Sequence, residues 1–252
     1  MLLQTFFKMN PSAAVAFSGG VDSALLLWAA AVYGRNAAAY FVKTPFQPAF
    51  EEEDAWQTAR RLNIPLTVLE FDVLTLPEVA ANPPDRCYHC KRALFRHILE
   101  AAAEDGFPLV LDGCNASDDA GDRPGMRALR ELGVRSPLRE CGLSKAEVRS
   151  MAREAGLAVW DKPSYACLAT RTPVGSEITR EALERVERGE ALLAEKGLAD
   201  FRLRLRGDDG LLQVRAEQMD LARRLLDQVR EQLAGDFRQI TLDNVPRAVR
   251  ET

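Results

Sequence analysis

The strongest constraint on the fold is an alternation of apolar runs that becomes visible around AFSGGVDSALLL, residues 16–27. A short buried-strand run at 13–17 ends in two glycines flanked by hydroxyls, and a helix pattern follows at once over 22–33. The rhythm repeats, with strands expected at 38–42, 66–71 and 109–112 and helices at 51–62, 91–104 and 144–155. The helix at 51–62 opens on acidic residues, as the helix dipole prefers. Ser144, with Glu147 three residues on, predicts a capping box. Strands alternating with helices of about 10–15 residues predict a parallel sheet covered on both faces. Such sheets bind ligands at the carboxyl ends of their strands.

After Pro163 the texture changes. A loop-like stretch, SYACLATRTPVGSEI, leads to an amphipathic helix over 179–196, and FRLRLRGDDGLLQVRA reads as a hairpin around Gly-Asp-Asp-Gly. A helix at 217–233 and a strand at 237–242 complete an α-β-β-α-β order. We therefore expect an α/β domain over 1–172 and a small α+β domain over 173–252, for substrate binding or oligomerisation. A chain of 252 residues that is 47% hydrophobic has room for both cores.

Composition narrows the function classes. A net charge of −4 weighs against a nucleic-acid partner, and the segment from residue 201 onward is close to charge-balanced. The longest apolar stretches fall far short of a membrane span. Lys8, Asn10 and Pro11 interrupt the N-terminal apolar run, which makes a poor signal peptide. These features predict a cytoplasmic protein with no membrane partner. Five cysteines with no framework spacing favour thiol or metal chemistry over disulfides in a reducing compartment.

The loop itself is built for phosphate. Glycines let the backbone approach closely, and the amides of a helix N-terminus point at the anion. Ser18, Gly19, Gly20, Val21, Asp22 and Ser23 form it, with hydroxyl donors at both ends. Asp22 meets phosphate comfortably only through a bridging Mg²⁺. Neither a Walker A loop nor a dinucleotide fingerprint is present. The bland alternative is a glycine turn chosen only for tight strand–helix packing.

Ser-Gly-Gly-Val-Asp-Ser in this strand–loop–helix setting resembles the PP-loop of the N-type ATP pyrophosphatases. That resemblance implies a Rossmann-like adenine nucleotide alpha hydrolase fold and cleavage of ATP to AMP and pyrophosphate, so no Walker lysine is needed. Further stretches narrow the resemblance: DGCNA at 112–116 with Gly113, the Arg123, Pro124, Gly125 triplet, DRCYHCK, and KPSYACLATR. Together, over roughly residues 10–215, these are similar to the LarE family of ATP-dependent sulfur transferases. The resemblance implies adenylation of a carboxylate of pyridinium biscarboxylic acid mononucleotide, a small-molecule nucleotide, in nickel-pincer nucleotide cofactor biosynthesis. ATP and Mg²⁺ are the implied cofactors, and a homo-oligomer the implied assembly.

In the sacrificial form of the reaction a cysteine thiolate displaces AMP and then loses its sulfur, leaving dehydroalanine. The Ala-Cys-Leu motif assigns that role to Cys167, with Arg171 as the cation that activates the thiolate. A buried core thiol is the alternative for Cys167. Cys87 and Cys90 raise a second possibility. With Cys167 they form a set of the kind some relatives carry, holding three irons of a [4Fe–4S] cluster whose open iron bears the transferred sulfide. Packing at a helix start or a redox pair are the alternatives for these two, and Cys114 and Cys141 are read as structural.

Arg171, Arg202 and Arg204 are the candidates for the substrate's phosphate and carboxylates, since guanidinium forks suit both. A solvated strand edge is the alternative for the last two. Asp118 or Asp119 is expected to assist Mg²⁺ or substrate. The C-terminal TLDNVPRAVRET follows the family ending only loosely. A tRNA-thiolating PP-loop enzyme, or a non-catalytic nucleotide-binding or iron–sulfur sensor module, are the rival functions.

Overall fold

A computed structural model of the chain describes residues 2–118 and 124–248. Asp119, Arg123 and the tail from Val249 lie outside the described residues. In chain order the elements are α1 (Leu3–Met9), β1 (Ser12–Ala16), α2 (Val21–Tyr33), β2 (Asn36–Lys43), α3 (Ala49–Leu62), β3 (Leu66–Glu70), α4 (Pro77–Ala80), α5 (Arg86–Glu104) and β4 (Val110–Leu111). There follow α6 (Pro124–Glu131), α7 (Pro137–Glu140), α8 (Lys145–Glu154), α9 (Arg180–Glu195), β5 (Arg202–Arg206), β6 (Asp209–Gln213), α10 (Met219–Gln232) and β7 (Ile240–Leu242). They divide into two compact units, 2–73 with 85–162, and 74–84 with 163–248.

The first unit is built on a parallel sheet in the order β3-β2-β1-β4, with Val15 of β1 opposite Ala39 of β2 and Leu111 of β4. The period-two geometry of a strand sends alternate side chains to opposite faces. Ala13 and Val15 accordingly enter a core with Phe6, Phe7, the Leu25–Leu27 run and Val148, whereas Ala14 enters another with Tyr40, Phe95 and Leu129. This is the doubly covered α/β sheet that the alternation predicts, a Rossmann-like PP-loop fold. α2 is apolar almost all round and mostly buried from Val21 to Ala30, as such a helix must be, while Ala31 and Val32 in its last turn are exposed. The chain steps from β1 to β2 to β3, then returns to place β4 on the other side of β1. That reversal puts a topological switch point, where ligands of open α/β sheets bind, beside the end of β1.

α1 was not expected. At seven residues it is too short to stand alone, and it is held by burial of Leu3, Phe6 and Phe7, the two rings meeting edge to face at 5.3 Å.

The second unit carries a three-stranded sheet in the order β5-β6-β7. β5 and β6 are an antiparallel hairpin turning at Gly207, whose φ of 60° suits glycine. α10 then crosses over so that β7 pairs parallel to β6. This matches the expected α-β-β-α-β order, although the last strand begins only at Ile240. The Phe237 amide still bonds back to the Leu233 carbonyl, closing the end of α10. α9 lies close on this sheet because Gly189 leaves room for Leu203: a Cβ there would sit 2.4 Å from a Leu203 methyl.

Candidate nucleotide and thiol sites

At the carboxyl end of β1 the chain leaves the sheet through Phe17, whose amide donates to the Tyr40 carbonyl. Gly19 then takes φ +73°, with the Glu51 carbonyl 3.2 Å from where a Cβ would stand. Conformation and space both require glycine there. Gly20 is the N-cap of α2 and offers no side-chain cap, so the first-turn amides of Val21 and its neighbours remain open to a ligand. The Ser23 hydroxyl faces inward: its Oγ donates to the Gly20 carbonyl and accepts from the Ser18 amide, tying the loop to itself, while Ser18 is exposed.

Gly113, just beyond β4, packs against the same turn. A Cβ on it would lie 2.9 Å from the Ser23 backbone nitrogen. Its role is therefore close approach, which seats the start of α2 against the end of β4. Around these termini lies a cavity of about 380 Å³, lined by the loop and by Tyr40, Lys91, Phe95, Asp112, Cys114 and Asp118 among others. Asp118 accepts from the Asn115 amide at 2.9 Å, and its carbonyl accepts from Arg139. Burial, and then the nearby Asp112 carboxylate, push the Cys114 thiol well above its ordinary pKa, the profile of an unreactive thiol.

Asp22 sits in the first turn of α2 with both carboxylate oxygens engaged. Asn115 Nδ2 donates to Oδ1 at 2.9 Å and Lys145 Nζ to Oδ2 at 2.5 Å. Sequence reasoning did not single out either partner. Asn115 stands within the DGCNA stretch, and Lys145 follows the Ser144 cap, whose expected capping box with Glu147 is present.

The cysteine pair falls on the first turn of α5, with Cys87 exposed and Cys90 half-buried, three residues apart on one helix face. Cys167 belongs to the second unit, at the start of the 3₁₀ turn Leu168–Arg171. Among the described residues no three His, Cys, Asp or Glu side chains gather into a metal-binding group. The thiols present in either unit alone do not make the ligand set of a [4Fe–4S] cluster.

Around Cys167 the second unit builds a buried ionic network centred on Glu190. Its carboxylate accepts from Arg171 Nε at 2.7 Å and Nη2 at 3.0 Å, from the Tyr165 hydroxyl at 2.5 Å and from the Leu203 amide at 2.9 Å. The remaining arm of Arg171 donates to the Ala166 carbonyl at 2.9 Å and the Cys167 carbonyl at 3.4 Å. Burial works to lower the Arg171 pKa, but the bonds and charge of Glu190 hold it above its ordinary value, with the Cys167 side chain adding in the same direction.

The Tyr165 ring is approached by the guanidinium groups of Arg171, at 4.7 Å from its centroid, and Arg202, at 5.3 Å. Arg202 is buried and donates to the Ser164 carbonyl; burial, then repulsion from Arg171 and Arg247, lowers its pKa to about 10. Arg204 is half-buried, bonded to Gln213 and the Thr170 carbonyl. Neither arginine is a solvated edge residue. Glu190 was missed by sequence reasoning, yet it left a signal: an acid on the buried stripe Leu183, Val186, Glu190, Leu193 of α9.

The structure thus gathers Ser18, Asp22, Ser23, Gly113 and Asp118 around one cavity, with Gly19, Gly20 and Val21 forming the loop behind them. It gathers Arg171, Arg202 and Arg204 around the 164–170 segment that carries Cys167. No helix among the described residues is long and apolar enough to cross a membrane.

No family model matches the chain. An uncharacterized protein of Synechocystis sp. is 38% identical over 86% of this chain and 81% of its own length. The pyridinium-3,5-bisthiocarboxylic acid mononucleotide synthase of Lactiplantibacillus plantarum is 32% identical over 91% of this chain and 84% of its own. A tRNA-specific 2-thiouridylase of Kocuria rhizophila is 29% identical over 59% of this chain and 49% of its own length.

Proposed function

Because this chain belongs to the LarE family of PP-loop ATP-utilising enzymes, we propose that it adenylates a carboxylate of pyridinium biscarboxylic acid mononucleotide and replaces one oxygen with sulfur. The observation that carries the reading is the uncapped first turn of α2 opening on a cavity at the sheet's switch point. Open amides and the positive end of a helix stabilise the pyrophosphate that must depart when a carboxylate oxygen attacks the α-phosphorus. Mg²⁺ at Asp22 would offset further phosphate charge.

The acyl-adenylate carries a good leaving group, so a thiolate can attack its carbonyl carbon and expel AMP. Cys167 is our nucleophile, positioned by Arg171 through the Ala166 and Cys167 carbonyls and supported electrostatically by the same cation. Loss of the Cα proton and cleavage of the Cβ–S bond then leave dehydroalanine in the chain and a thiocarboxylate on the product. Arg202 and Arg204 are assigned to the substrate's anionic groups, Arg202 also holding the segment before Cys167. A cluster-bound sulfide held by Cys87, Cys90 and Cys167 is the alternative sulfur source.

The test is a single incubation with ATP and the pyridinium dicarboxylate nucleotide. AMP, pyrophosphate and a thiocarboxylate should form, with the protein lighter by the mass of H₂S. Cys167→Ala should release pyrophosphate without transferring sulfur. ADP in place of AMP would refute adenylation. An iron-containing protein of unchanged mass after several turnovers would move the sulfur source to the cluster.

A further inference from the structure

We propose that Lys145 is a phosphate-binding cation of the nucleotide site, and that its ion pair with Asp22 is the ligand-free resting state of that site. The inference deepens the adenylation reading above and rests on it. The PP-loop has no lysine of its own. The fold nevertheless delivers one to its second helical position, across 123 residues of chain.

That delivery is built into the scaffold. The Ala116 amide donates to the Leu143 carbonyl at 2.7 Å, and the Lys145 amide donates to Ser117 Oγ at 2.9 Å. The Ser117 amide donates to Asn115 Oδ1 at 2.8 Å, while Asn115 Nδ2 donates to Asp22. The start of α8, the turn after β4 and the PP-loop are therefore closed into one ring of hydrogen bonds, completed by Lys145 Nζ on Asp22 Oδ2. Only 16% of the Lys145 side chain and 21% of the Asp22 side chain is exposed.

Charge accounting gives the pair its function. The ammonium stands where a cation bridging Asp22 to phosphate would bind, so Asp22 fits a metal ligand whose place is already held. A divalent ion arriving alone must displace Lys145 and leave two cations side by side in a partly desolvated corner. A triphosphate arriving alone meets a lysine already neutralised by Asp22. When metal and triphosphate arrive together, the metal takes Asp22 and the freed ammonium takes a phosphate oxygen. Each binding event removes the penalty of the other, so the two are coupled. The lysine side chain is long enough to swing between such partners without movement of α8, and as a compact charge it suits this exchange better than a bidentate arginine.

The coupling makes predictions of opposite sign, which a merely structural lysine does not. Mn²⁺ binding without nucleotide is followed by electron paramagnetic resonance, and binding of α,β-methylene-ATP by calorimetry with and without Mg²⁺. Lys145→Met should bind Mn²⁺ alone about tenfold tighter than wild type and α,β-methylene-ATP with Mg²⁺ about tenfold weaker, the scale of one partly shielded charge contact. Asp22→Asn frees the ammonium without removing it, and should bind metal-free α,β-methylene-ATP more tightly than wild type does.

Unchanged or weaker Mn²⁺ binding by Lys145→Met, or no metal-free gain in Asp22→Asn, overturns the proposal. Either variant decides it if the other fails to fold. A wild-type protein that binds no α,β-methylene-ATP at all would instead overturn the adenylation reading itself.

Discussion

Replacing Glu190 with alanine should cost the second unit a large part of its stability. The Arg171 side chain is fully buried and that of Glu190 is 7% exposed, so the pair lies out of water. Removing one partner of such a pair leaves a buried charge uncompensated, at a cost of about 3–5 kcal/mol. Here the loss is compounded, because the Tyr165 hydroxyl and the Leu203 amide lose the same acceptor and Arg202 is left facing an unneutralised Arg171. A domain of this size holds only about 5–15 kcal/mol in total. Its melting temperature should fall by roughly 15 °C or more.

The assay must look at the right unit. All three tryptophans, Trp28, Trp56 and Trp160, belong to the first unit, so tryptophan fluorescence reports on that one. Hydrogen exchange at the Leu203 amide reports on the other directly, since its acceptor is the Glu190 carboxylate itself. Glu190→Ala should accelerate exchange along β5 while the tryptophan signal is retained.

The paired substitution Arg171→Met with Glu190→Met removes both charges and should be less destabilising than Glu190→Ala alone. It should still fail to hold the Ala166 and Cys167 carbonyls, and sulfur transfer should be lost while pyrophosphate release persists. A cost below about 1 kcal/mol for Glu190→Ala, the range of exposed pairs, would refute the network as the anchor of the Cys167 segment.

Two further outcomes follow from the first unit. Gly113→Ala drives a methyl group to 2.9 Å from the Ser23 nitrogen, where backbone must yield, so stability should fall by about 1–3 kcal/mol. Calorimetry should show weaker binding of α,β-methylene-ATP, because the start of α2 is displaced from the cavity. In the capping box, the Ser144 hydroxyl and then the Ser144 amide hold the Glu147 carboxyl below its ordinary pKa. The unfolded chain thus binds more protons near that value, so the contribution is complete above about pH 4–5 and is lost as pH falls through the folded pKa. Glu147→Gln should flatten the acid limb of a melting-temperature profile, and an unaltered limb would remove the box from the account.

The parts of this molecule legible in its sequence are those whose cause is local. Periodicity places the strands and helices, the glycine pair marks the turn into α2, and Ser144 with Glu147 announces the start of α8. The illegible parts are closed by contacts between distant residues. The segment 74–84 joins the second unit because Asn82, buried at φ 52°, accepts from the Gly175 amide while Ala80 accepts from the Ile178 amide. No local pattern encodes that pairing.

Arg171 illustrates the same limit within a residue that was singled out. Its position beside Cys167 is legible, but the carboxylate that turns it from a free cation into a clamp lies 19 residues away on another helix. What the sequence does expose is the anomaly: a charge on the apolar stripe of α9 has to be answered by something buried. An acid placed among Leu183, Val186 and Leu193 is destabilising unless a cation meets it, so such a position predicts a partner before it predicts which one. Lys145 has no such anomaly, since a lysine in the first turn of a helix is commonly solvated. Only the fold reveals that this lysine meets Asp22 of the 18–23 loop, and a partner supplied from a separate helix can be recognised no earlier than that.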